Sequence, residues 1–281
     1  MSTIPSVPEV LAEAERSLQF HGRVVLCQIV RAEGSTPGKV GWKLLARPDG
    51  SAYGNLGGGA FEALVKVDAL AKLNGTPAGS EVKRYYFTED AVKGEPTGMV
   101  CGGMAEVFLD VVKAAPLLVI CGGGPVGQAL ARAGSLAGFE ILLAEDREEF
   151  RDPALFPAGT RLAGVGRDYE EDFLAPVRGR DLHVAVVSRC WETDVAALAS
   201  VLRQELPGLR YLGLMGSRRK IARVRQEVAD LGFDLSGVRL RAPIGLPIGG
   251  DSPGEIAISI LAEVIQTRYE RDEKVEMSKD A

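Results

Sequence analysis

LLVICGGGPVGQALARAGSL, residues 117–136, decides the architecture of the C-terminal part of the chain. Leu117 to Cys121 are apolar without a break, the pattern of a strand buried on both faces of a parallel sheet. Glycines follow at 122, 124 and 127 in G-x-G-x-x-G spacing, and a helical pattern runs from Pro125 to Leu136. EILLAED, Glu140 to Asp146, reads as the next strand and ends in two acids, Glu145 and Asp146. Strand, glycine turn, helix and acid-tipped strand, in that order, predict a Rossmann-like unit. A glycine turn that holds no ligand fits the same letters, because topology alone does not establish function.

The rhythm continues toward the C-terminus. LHVAVVS (Leu182 to Ser188) and LRYLGLM (Leu209 to Met215) read as strands, each followed by a helix, Thr193 to Gln204 and Arg218 to Leu231. A last helix runs from Pro253 to about Arg268, and residues 269–281 read as a charged tail. The fold class is therefore α/β, with a doubly wound parallel sheet over residues 114–268. Residues 1–113 read as a separate α+β domain. Its helix spans Val7 to Phe20, its strands lie at Val24 to Val30, around the Pro48, Asp49, Gly50 turn, at Val82 to Phe87 and at Ala105 to Val112, and a second helix runs from Gly59 to Leu73.

Composition narrows the function. Of 281 residues 46% are hydrophobic and 25% charged, and no apolar run reaches the roughly 20 residues of a membrane span. A net charge of −5 argues against a general nucleic-acid binder. The N-terminus lacks the basic start and apolar run of a secretion signal, so the expectation is a cytoplasmic protein with reduced thiols. Cys27, Cys101, Cys121 and Cys190 lack paired spacing, and with only His21 and His183 beside them a zinc site is not expected. Nor do two histidines outside any motif support a Ser/His/Asp arrangement.

Several stretches suit an anionic ligand. In the glycine loop, Gly122 permits the turn, Gly124 lets a ligand approach and Gly127 packs helix on strand, while the amides of Val126 and Gly127 head the helix. Pro125 there has no N–H to give. With Asp146 as a ribose acceptor, the loop by itself suggests NAD(P) and an oxidoreductase. GSRRK, Gly216 to Lys220, places Arg218 and Arg219 as forked donors and Lys220 as a point charge after a strand, where a solvated basic turn is the competing account. In APIGLPIGGDSPGE, Ser252, Pro253 and Glu255 start a helix, and Gly245, Gly249 and Gly250 keep the preceding loop open to a ligand. In the first domain, Gly57, Gly58 and Gly59 open a helix whose first amides suit a second anion. Glu62 reads there as a dipole partner more than as a catalyst. Cys101, followed by Gly102 and Gly103, is either a small buried residue or a thiolate for a soft metal, and Cys121 reads as core.

GNLGGGAFE, MVCGGMAEVFLD, CGGGPVGQAL with EDREEF, YLGLMGSRRK and APIGLPIGGDSPGEIAISILAEV occur in this order, and together they resemble the XdhC/CoxI family of xanthine dehydrogenase accessory proteins. The resemblance runs from about Gly34 to Arg268. It implies a cofactor chaperone in place of a redox enzyme. Such a protein binds the molybdenum cofactor as molybdopterin or a nucleotide form of it, supports its sulfuration, and delivers it to a xanthine dehydrogenase-type molybdenum hydroxylase apoenzyme. It also implies a homodimer and contact with cofactor biosynthesis or sulfuration proteins. Under this reading Gly58, Gly59, Gly102, Gly122, Gly124, Val126, Gly127, Asp146, Arg218, Arg219, Gly245 and Gly249 bind the cofactor, and Cys101 becomes a candidate molybdenum ligand. The chain departs from the family in three places: Gly38 follows Pro37 where relatives commonly have arginine, Pro125 stands where many have histidine, and SRCWETD (Ser188 to Asp194) replaces a histidine-containing segment.

Overall fold

The computed structural model describes residues 4–74, 79–87, 95–96, 102–169, 172–204, 206–235 and 240–277. They fall into two compact units, Met1–Ala114 and Ala115–Ala281. In the first, helix α1 (Val7–His21) begins at a capping box, where Glu9 accepts from the Ser6 amide and hydroxyl. It ends at Gly22, whose φ of 70° makes the left-handed cap. There follow β1 (Arg23–Glu33), β2 (Lys43–Ala46), β3 (Ala52–Gly54), α2 (Gly59–Asn74), β4 (Glu81–Tyr86), β5 (Glu95–Pro96) and β6 (Met104–Lys113). The sheet order is β3-β2-β1-β6-β4-β5, antiparallel apart from the β4–β5 pair.

Strand alternation decides which helix covers which face. Val25, Cys27 and Ile29 of β1 share a core with Phe61, Val65, Ala69 and Leu73, an every-fourth-residue stripe on α2. Val24, pointing the other way, packs with Val10 and Ala14 of α1. Each buried valine, leucine, isoleucine or phenylalanine among them contributes about 1.5–3 kcal/mol of transfer free energy.

The second unit comprises β7 (Leu117–Cys121), α3 (Pro125–Leu136), β8 (Glu140–Glu145), β9 (Arg161–Gly164), β10 (Leu182–Val186), α4 (Trp191–Leu202), β11 (Leu209–Leu214), α5 (Arg218–Asp230), β12 (Leu240–Arg241) and α6 (Pro253–Met277). Its sheet is parallel throughout, in the order β12-β11-β10-β7-β8-β9. Counted along the chain this is the 3-2-1-4-5-6 order of the doubly wound fold, with the switch point between β7 and β10. Leu118 and Ile120 face a core shared with residues of α3 and α6, and Leu117, Val119 and Cys121 one shared with α4 and α5. Strands β9 and β12 have no counterpart in the sequence pattern, because neither RLAG nor LR has an apolar run to betray it. Helix α6 continues past Arg268 to Met277, into the segment whose charge suggests a tail. Arg, Glu and Lys, which dominate that segment, are good helix formers, so charge alone does not end a helix.

Two polar side chains lie at the opposite, amino-terminal end of this sheet. Arg180 is fully buried, paired with Glu140 at 3.0 Å and donating to the Ala115 carbonyl at 2.6 Å. His183, also buried, stands edge-on to Phe139 with ring centroids 5.5 Å apart. Burial, aided by the charge of Arg268, lowers its pKa from 6.5 to about 4. Between those values the unfolded chain binds a proton that the folded chain refuses, so stability falls as pH falls through this window. Urea unfolding should show a loss of about 2 kcal/mol between pH 7.5 and pH 5. His183→Leu should remove most of that loss, and an unchanged pH dependence in the variant would assign it to other groups.

Candidate functional site

The loops at the carboxyl ends of β7, β8, β10 and β11 form the candidate site of the second unit, the edge where parallel sheets of this kind bind ligands. Gly122 has φ of 121°, donates to the Ala144 carbonyl at 2.9 Å, and is pressed so close to Ser188 that a Cβ would lie 3.0 Å from its Cα. A Cβ on Gly127 would lie 1.9 Å from the Gly122 carbonyl oxygen, so α3 starts hard against the loop. Gly124, the N-cap of α3, has nothing within 4 Å of where a Cβ would be. The next amides, those of Val126 and Gly127, have no partner within the helix.

The sequence offers Glu145 as one of two acids available to a ligand. It is instead buried at 1% exposure and faces inward. Its Oε2 accepts from the Gly123 amide at 2.5 Å and from Arg147 Nη2 at 3.0 Å, and its Oε1 accepts from the Arg147 amide at 3.0 Å and Nε at 2.9 Å. Burial pushes its pKa up, but the hydrogen bonds with Arg147, the Asp146 side chain and the Gly123 amide prevail and hold it down at about 2. The carboxylate therefore acts as a fixed internal anion for the glycine loop. Asp146 turns to Arg189, whose Nη2 lies 3.1 Å away, and comes within 4.0 Å of Arg147.

Lys220, expected as a point charge for phosphate, is also committed internally. It pairs with the buried carboxylate of Asp194 at 2.6 Å and donates to the carbonyls of Met215 and Ser188 at 3.3 and 3.4 Å, tying α5 to the ends of β10 and β11. Ser188 Oγ donates to the other oxygen of Asp194 at 2.5 Å. Arg218 and Arg219, the first residues of α5, are exposed and enter no ion pair among the described residues. They lie at the end of β11, two strands from the glycine loop at β7. Gly245 is a packing residue: a Cβ would lie 2.3 Å from Ser259 Oγ, and its amide donates to Glu263 at 2.8 Å. Gly249, with φ of 87°, faces open space. Glu255 closes the capping box of α6 on Ser252.

In the first unit the glycine motifs meet at one end of the sheet. Gly102 bridges to Ser35, a Cβ on Gly57 would lie 2.5 Å from Pro37, and one on Gly38 would lie 2.2 Å from the Leu56 carbonyl oxygen. The departure at Gly38 is thus steric as well as chemical, since no arginine fits this backbone. Gly58 and Gly102 have φ of 73° and 70° and open space beyond them, and Gly59 heads α2. Glu62 closes its own loop, accepting from the Leu56 amide at 3.1 Å and pairing with Lys66 at 2.9 Å. Cys101 lies outside the described residues. Cys121 is core, its pKa pushed up to about 12 by burial and then by Asp194.

Glycine-to-alanine changes separate packing from access. In a helix interior alanine gains about 1 kcal/mol over glycine, but at Gly127 the clash should reverse this to a loss of about 2–3 kcal/mol. Gly124→Ala meets no clash but puts a poorer residue at the N-cap, and should cost no more than about 1 kcal/mol. Equal midpoints for the two variants in urea would contradict the packing described.

The XdhC Rossmann domain model matches residues 118–264, and the XdhC and CoxI family model matches residues 17–86. The uncharacterized protein YqeB of Escherichia coli (strain K12) is 33% identical over 263 residues, covering 92% of this chain and 46% of its own length. A Bacillus subtilis (strain 168) protein whose name makes it a probable xanthine dehydrogenase subunit is 29% identical over 167 residues, covering 58% of this chain and 46% of its own. The chain thus spans about half the length of these two relatives. The molybdenum cofactor insertion chaperone PaoD of Escherichia coli (strain K12) is 28% identical over 305 aligned positions, covering 94% of this chain and 89% of its own. With the Rossmann-domain match alone covering more than half of its residues, the chain belongs to the XdhC and CoxI family.

Proposed function

We propose that this protein is an accessory factor that binds the molybdenum cofactor, as molybdopterin or a nucleotide form, and passes it to a xanthine dehydrogenase-type molybdenum hydroxylase apoenzyme. The observation that carries the reading is the inward turn of Glu145. A Rossmann domain that reads NAD uses a carboxylate at the end of its second strand for the ribose hydroxyls. Here Glu145 is buried, turned away from the loop opening and saturated by Gly123 and Arg147. What remains suits a phosphate more than a ribose: open space at Gly124, helix amides behind it, and two exposed arginines along the same edge.

The residues present fit the group. Gly124 and the amides of Val126 and Gly127 would hold the phosphate, with Arg218 and Arg219 as further donors to it from the same edge. Gly249 leaves the loop before α6 accessible to the same ligand, whereas Gly245 supports that loop by packing. In the first unit Gly58, Gly59 and Gly102 leave backbone open to a polar ligand group, and Cys101 stays a candidate molybdenum ligand. When bound, the cofactor carries the metal whose oxo chemistry belongs to the client enzyme. The chain's own part is to bind, orient and release it, and on this reading it is not itself an enzyme. The relatives named as a cofactor insertion chaperone and a probable xanthine dehydrogenase component support the choice of cargo and client.

We place the protein in the cytoplasm as a homodimer, docking also with the enzymes that make or sulfurate the cofactor. No helix among the described residues is long and apolar enough to cross a membrane. The competing reading, an NAD(P)-dependent oxidoreductase, draws on the strand order, the glycine spacing and the acidic strand end at Glu145 and Asp146.

Protein purified from a host that makes molybdopterin should carry pterin, measured by fluorescence after oxidation, together with molybdenum, measured by mass spectrometry. Replacing Arg218 and Arg219 by glutamine should lower the pterin content about tenfold, the scale of one charged hydrogen bond. Recovery of neither pterin nor metal, with no uptake of added cofactor, would sink the proposal.

A further inference from the structure

Arg189 and Asp146 leave the sheet from strands that are not neighbours. In the order β10-β7-β8, Arg189 follows β10, Asp146 follows β8, and the glycine loop leaves β7 between them. The register pairs Cys121 with both Val186 and Ala144, so the three exits lie side by side at the switch point. Strands are about 4.8 Å apart, which puts the outer two about 10 Å apart. A side-chain pair closing to 3.1 Å from those two exits spans the end of β7.

This strap is weakly held. Water screens the pair from the side of Arg189, which is 40% exposed, while Asp146, 11% exposed, gives up hydration to make it. The carboxylate is also poorly placed, with burial and the neighbouring Glu145 acting against its charge and Arg189 in its favour. A phosphate offers the guanidinium more oxygens in the same planar geometry than a carboxylate does.

We infer that Arg189 is an anion-recognition residue of the switch-point crevice, kept on Asp146 until the phosphate of a ligand takes the carboxylate's place. The inference rests on the reading that this edge binds phosphate, and it adds the residue that receives the ligand and the contact that must open. Asp146, which the sequence suggests as a direct contact, becomes the stand-in that the ligand displaces.

Calorimetric titration of the full chain with inorganic pyrophosphate tests it, with unfolding midpoints confirming that each variant is folded. Asp146→Asn, which frees Arg189, should tighten binding about three- to tenfold. Arg189→Gln should weaken it about tenfold, and Arg189→Lys should recover only part of the loss. Wild-type binding that neither Asp146→Asn nor Arg189→Gln alters would overturn the strap and leave the phosphate reading standing. Absence of binding in both the wild type and Asp146→Asn would overturn the two together. Binding by Asp146→Asn alone would support the strap as a closed latch.

Discussion

A buried carboxylate must be matched by donors or it neutralises, and the carboxyl edge of the second unit is organised around one such match, Glu145 with the Gly123 amide and Arg147. Because the acid supplies an anion to the loop from within, the turn from β7 into α3 is fixed without a ligand. Because Arg147 is drawn in to balance it, Asp146 is left to Arg189 across the loop. Asp194 and Lys220 repeat the device one strand further on, joining α4, α5 and the ends of β10 and β11. Glu145 with Arg147, Asp146 with Arg189 and Asp194 with Lys220 each bring one charge of either sign. Arg218 and Arg219 stand at the same edge, exposed and in no ion pair among the described residues.

The first unit solves a different packing problem at its glycine end. Three loops from separate parts of the chain approach so closely that side chains are excluded at Gly38, Gly57 and Gly103. The open glycines, Gly58 and Gly102, sit beside these closed ones. Exclusion of side chains builds the end of the unit, and the remaining backbone is what a ligand there would meet.

Strands buried on both faces were legible in the sequence, since β7, β8, β10 and β11 write themselves as apolar runs. So was the glycine turn, whose spacing reflects hard contacts such as that between Gly127 and Gly122. Strands β9 and β12 were not, because short half-buried strands at a sheet edge need few apolar residues. Side-chain commitments were also hidden. Nothing local distinguishes a lysine aimed at solvent from Lys220, whose partner lies 26 residues earlier at Asp194. The Arg189 to Asp146 contact joins residues 43 apart, brought within reach because β10 and β8 flank β7 in the sheet. Arg147, just past the acids in EDREEF, gave the one local hint that Glu145 would be paired inward.

The central claim is that this edge reads phosphate and not ribose. Parallel calorimetric titrations with inorganic pyrophosphate and with NAD test it most directly, since NAD adds the ribose and nucleoside contacts to the same pyrophosphate. With Glu145 committed inward, the account predicts that pyrophosphate binds and that NAD binds no more tightly. NAD binding tenfold or more tighter than pyrophosphate would show that the acid-tipped strand still serves a dinucleotide, and would contradict it.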